Sequence, residues 1–107
     1  MNAISLILVT AETEEEAAKI GRTLVEEKLA ACANIIPRIR SIYRWKGEIH
    51  DEPESLILIK TRTSMFQALK ARVRELHGYE VPEITAIPIA QGLQEYLDWV
   101  VDETEER

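Results

Sequence analysis

The sequence predicts an α+β fold of the ferredoxin-like kind: a βαββαβ sandwich with a long hairpin between its second and third strands and a short helix after the last. Three observations predict it. Hydrophobic periods of two and of about 3.6 succeed one another in the order strand, helix, strand, strand, helix, strand. Pro37 and Pro88 fall in the second and fourth strands, the edges of this topology, and the central first and third strands are read without proline, which cannot donate to a ladder. The central strands are apolar on both faces, Ile4, Leu6 and Leu8 against Ile7 and Val9, and Leu56 and Leu58 against Ile57 and Ile59. Helices on one side leave the other side of such a sheet to be covered by something else.

The elements follow in order. Ile4–Val9 is the first strand. Thr13 with Glu16 forms a capping-box pattern at the start of a helix, Glu14–Glu16 suit its dipole, and Ala17, Ile20, Leu24 and Val25 line its inner face up to Lys28. From Ile35 to Trp45 the odd positions are mostly apolar and Arg38, Arg40, Arg44 and Lys46 mark the other face. Lys46-Gly47 is the hairpin turn. A polar patch, His50–Glu54, leads into the third strand, Ser55–Thr61. Thr63 or Ser64 opens the second helix, with Ser64 and Gln67 as a second capping box and Gly78 as its left-handed cap. Pro82 keeps Tyr79–Glu83 extended. Ile84–Ala90 is the last strand. Leu93, Tyr96, Leu97 and Val100 form the inner face of a terminal helix over 93–103.

A strand of about fifteen residues spans roughly 50 Å, whereas a domain of this length has a diameter near 35 Å. The hairpin must therefore bend back, break at a bulge or lie on another chain, and the last is expected. With two apolar sheet faces, this predicts an obligate oligomer.

The 107 residues form one domain, 1–107, with 102–107 as an acidic tail expected to fray. A net charge of −6 argues against nucleic-acid binding. The apolar run at Ile4–Val9 is too short for a membrane span or a signal core. One cysteine, Cys32, cannot form an internal disulfide, and a cytoplasmic location is expected.

The stretches Glu27–Asn34, Ser41–Gly47, Leu58–Thr61, Leu76-His77, Tyr79–Ile84 and Tyr96–Trp99 closely resemble the CutA divalent-cation-tolerance family, in order and over essentially the whole chain. The resemblance implies a homotrimer of PII-like architecture, with sheets around a threefold axis and hairpins reaching onto neighbours. In some members a copper site uses a cysteine in the first strand and two histidines after the second helix. Here Val9 and Leu76-His77 stand at those positions and Gly78 replaces the usual proline, so only His77 matches. Cys32 matches the family's Ala-Ala-Cys motif.

The candidate metal residues are thus His77 and Cys32; a buried structural thiol and a helix-terminal imidazole are their plain alternatives. Phosphate loops and nucleophile elbows are absent from the sequence, so no enzyme activity is expected. Lys60, Tyr79 and Glu83 are expected to line a cleft between subunits, and Tyr43, Trp45 and Trp99 to serve as interface anchors. The expected function is homotrimeric divalent-cation (copper) tolerance, by binding metal or a small ligand. No cofactor is expected to be tightly bound; copper or another divalent cation would bind weakly. The alternatives are a PII-like sensor for a small anion and a trimeric scaffold for a partner.

Overall fold

Alternation along the two central strands organises the molecule. The structure, a computed structural model, describes residues 3–104. Its elements are β1 (Ile4–Ala11), α1 (Glu14–Glu26), β2 (Cys32–Trp45), β3 (Glu48–Arg62), a 3-10 turn (Thr63–Met65), α2 (Phe66–Leu76), β4 (Ile84–Pro88) and α3 (Gln94–Asp102). The strands form one antiparallel sheet in the order β2-β3-β1-β4, the ferredoxin-like order, with β2 and β4 at the edges.

On one face Ile7 and Val9 of β1 and Ile57 and Ile59 of β3 are buried against Ile20 and Leu24 of α1 and Leu69 and Val73 of α2. Each such side chain contributes about 1.5–3 kcal/mol when fully buried. On the other face Leu6, Leu8, Leu56 and Leu58 are only half-buried, and Ile36 and Ile87 are exposed. The last helix covers one end of this face, where Val100 packs with Ile4 and Ala31. Its inner face is narrower than the sequence reading gave: Leu93 is exposed and Tyr96 partly so. Val25 of α1 is likewise exposed.

The first helix opens as read, with the Thr13 hydroxyl accepting the Glu16 N–H at 3.1 Å. It closes on Lys28 in the left-handed region (φ 61°), with Leu29 N–H donating to Leu24 O at 2.9 Å and Lys28 N–H to Val25 O at 3.1 Å, a Schellman motif without glycine. The second helix departs from expectation at both ends. It is preceded by the 3-10 turn and has no side-chain cap at its start. After it, His77 turns extended (φ −85°, ψ 139°), and Gly78 is not left-handed. A hydrogen bond ties the chain down there, as described below.

The hairpin corrects the sequence reading most. The third strand runs unbroken from Glu48, so His50–Glu54 is strand and Pro53 lies inside it. Proline is tolerated because β1 ends opposite Ser55, leaving β3 only β2 as a partner at Pro53. On β2 the register slips by one residue between Ile36 and Ile39. That bulge, at Pro37-Arg38, reverses the faces. Ile35 pairs with Ile57 on the helix side, whereas Ile39, Tyr43 and Trp45 pair with Glu54, His50 and Glu48 on the open side. The turn has two left-handed residues, Lys46 (φ 51°) and Gly47 (φ 82°), as a two-residue hairpin loop requires. Asp102 closes α3 and Thr104 is buried, bonded by Arg62, so residues 102–104 are not a frayed end. Residues 105–107 of the expected tail lie outside the described residues.

Candidate ligand cleft and metal positions

The connector from His77 to Glu83 is pinned to three elements. The Tyr79 N–H donates to His77 Nδ1 at 3.0 Å, which places the imidazole proton on Nε2, where it is donated to the Thr10 carbonyl of β1 at 2.6 Å. The Gly78 N–H donates to the Glu16 carboxylate of α1 at 2.9 Å, and a Cβ at Gly78 would stand 3.0 Å from that oxygen. The Tyr79 hydroxyl donates to Glu54 of β3 at 2.7 Å.

These contacts set Tyr79 opposite the underside of the hairpin tip and wall a cleft of about 270 Å3. The hairpin contributes Tyr43, Trp45 and Glu54, and the connector contributes Tyr79, Val81 and the carboxylates Glu80 and Glu83. At its mouth Lys46 Nζ lies 3.7 Å from Glu80 and 5.6 Å from the centre of the Trp45 ring. The ionisable side chains of its lining are acidic, Glu54, Glu80 and Glu83 beside the two tyrosines. Burial first, then the bond to Glu54 and the charges of Glu54 and Glu12, hold the Tyr79 hydroxyl well above the usual phenol range. Burial, then Glu52 and Glu54, raise Tyr43 as well.

Lys60, Tyr79 and Glu83 were expected in a cleft between subunits; within the one protomer, Tyr79 and Glu83 share this cleft and Lys60 lies elsewhere. Lys60 pairs across the sheet with Cys32 on one side and Leu6 on the other, and its ammonium bonds Asn34 Oδ1. The residues missed were Thr10, Glu54, Glu80 and Val81. Glu54 was legible, since Glu52, Glu54, Leu56 and Leu58 keep one period of two through Pro53. Of the expected anchors, Tyr43 and Trp45 lie on the hairpin and Trp99 on the outer side of α3, its ring 5.6 Å from that of Tyr96; all three are about two-fifths exposed. The basic stripe is partly neutralised, as Arg40 makes two bonds of 2.8 and 2.6 Å to Asp51.

The two metal candidates lie apart. Cys32 is level with Leu6 and His77 with Thr10, four residues further along β1, or about 13 Å at ~3.3 Å per residue. The Cys32 thiol donates to Asn34 Oδ1 at 3.5 Å and borders Tyr96, whose hydroxyl is raised by burial first and then by Cys32. Both nitrogens of His77 are engaged by backbone. Val9 is buried and apolar, and Leu76 packs against the core. Among the described residues no three His, Cys, Asp or Glu side chains converge to hold an ion. Among them, too, no helix is long and apolar enough to cross a membrane.

Residues 5–103 match the model of the CutA1 divalent ion tolerance protein family. The divalent-cation tolerance protein CutA of Thermus thermophilus is 54% identical over 99 residues, covering 92% of this chain and 96% of that protein. A solved structure of the divalent cation tolerance protein from Thermus thermophilus superposes with a TM-score of 0.93 at 52% identity, over 95% of this chain and 99% of that one. That of CutA1 from Oryza sativa gives 0.96 at 39% identity, over 99% and 97%.

Proposed function

Because the chain belongs to the CutA1 divalent ion tolerance family, we propose that it acts in divalent-cation tolerance as a homotrimeric binding protein of the cytoplasm, without catalysis. The observation that carries this reading is the open sheet face. Leu6, Leu8, Leu56 and Leu58 lie half-covered beside exposed Ile36 and Ile87, and an apolar patch of this kind marks an interface. Two further copies around a threefold axis would cover it, with the hairpin tips and Trp45 reaching neighbouring chains. The cleft beside the tip is then the ligand site of the assembly. Its carboxylates disfavour a small anion.

Tight copper binding does not fit the residues at the expected position. Val9 and Leu76 carry no donor atom, and both His77 nitrogens already have backbone partners. Divalent cations bind weakly instead, on surface carboxylates and His50, with little selectivity. Calorimetric titration of Cu(II) into the wild type and His77→Ala tests this. The expected result is weak binding, unchanged by the substitution. One submicromolar site per protomer, lost in His77→Ala, would refute it.

A further inference from the structure

We propose that the cleft between the hairpin tip and the 79–83 connector binds small organic ammonium ions that carry an apolar tail. This rests on the reading of that cleft as the ligand site of the assembly. Tyr43, Trp45 and Tyr79 bring aromatic rings to one cleft whose remaining lining includes Glu54, Glu80 and Glu83. Rings attract a cation through their quadrupole and an alkyl tail through burial, and carboxylates accept the N–H bonds. The chain supplies its own example, for Lys46 presents an ammonium to the Trp45 ring and to Glu80 at the cleft mouth.

Other ligand classes fit worse. An anion would meet the carboxylates of Glu54, Glu80 and Glu83 in the lining. A bare divalent ion needs several convergent oxygens, but here the carboxylates are turned to separate partners. Glu54 accepts from Tyr79 at 2.7 Å, Glu83 from Thr85 at 3.1 Å, and Glu80 faces Lys46. Each carboxylate retains lone pairs for one more N–H donor, since two oxygens offer about four acceptor positions. The volume of about 270 Å3 is below the roughly 300–1,000 Å3 of drug-sized pockets, so the ligand is small.

The test uses the full chain carrying Trp99→Phe, which leaves Trp45 as the single tryptophan reporter. n-Butylammonium chloride should change the Trp45 emission saturably, and sodium butyrate at the same ionic strength should not. Glu54→Gln, which still accepts the Tyr79 hydroxyl, should weaken n-butylammonium about tenfold, and Glu83→Gln should weaken it in the same direction. Lys46→Asn keeps the turn geometry and removes the competing ammonium, so binding should be at least as tight. No saturation, equal response to butyrate, or affinity indifferent to both glutamate substitutions would overturn the assignment. Light scattering on the same samples separates the two levels. A trimer that fails to bind n-butylammonium refutes the ligand class alone; a monomer, in the wild type as well as in Trp99→Phe, refutes the trimeric reading, and the cleft, lined by one chain, is still judged by its saturation.

Discussion

Tyr79 is the residue on which the cleft depends, and its hydroxyl gives an alkaline signature. Half-buried beside Glu54, it keeps its proton longer in the native state than in the unfolded chain. A raised folded value means stability is fully present below about pH 10, the unfolded phenol value, and falls as the pH rises beyond it. Tyrosine absorbance should therefore titrate late, and Tyr79→Phe should remove the latest component and flatten the loss of stability above about pH 10. His77 acts on the same connector. Its sequence position drew attention to metal, because a histidine at a helix end says nothing about which backbone groups will meet its nitrogens. The structure has it joining Thr10 O to Tyr79 N–H. His77→Ala should cost about 1–3 kcal/mol in urea unfolding, the range for a lost hydrogen-bond partner in a partly buried site. A stability equal to wild type would show that the connector holds without it.

At the level of elements, period and punctuation carried most of the fold. Strand β1, the Thr13 cap and the Lys46-Gly47 turn were legible because each depends on residues adjacent in sequence. What was not legible depends on distant partners. Pro53 reads as a strand breaker until one knows that β1 stops opposite Ser55. The bulge at Pro37-Arg38 leaves the period of two intact along β2 while exchanging the faces it addresses. Gly78 invites a helix cap, but Glu16, far away in sequence, claims its N–H. The cleft within the protomer joins near and distant residues for the same reason: Tyr79 and Glu83 stand on either side of Pro82 in one connector, whereas Glu54 enters from across the sheet.

At Lys28 and at the hairpin tip an exposed residue sits in a geometry with an energetic consequence. Lysine at the left-handed Lys28 carries a strain of about 1–2 kcal/mol, offset by the roughly 0.4–1 kcal/mol of chain entropy that glycine would add to the unfolded state. Lys28→Gly should thus stabilise by about 0.5–1 kcal/mol in urea melts, and destabilisation would mean its side chain makes a contact worth more than the strain. The hairpin tip is the second case. If Trp45 is buried against a neighbouring chain, Trp45→Ala should weaken assembly by more than about 2 kcal/mol. An unchanged dissociation profile on dilution would show the tip to be free.

For the whole molecule, shape and surface point the same way. The protomer is elongated, 44 × 26 × 22 Å, because the outer half of the hairpin extends beyond β1 with only its own two strands paired. Exposed Ile42 and Ile49 on that arm, and the half-covered leucines on the open face, leave apolar area that one chain does not bury. The proposed trimer resolves both features at once, and it is the premise on which the cleft's role rests. Size-exclusion chromatography with multi-angle light scattering at micromolar concentration tests it most directly. A single species at three times the 12.2 kDa protomer mass is expected, and a stable monomer at that concentration would refute the trimer.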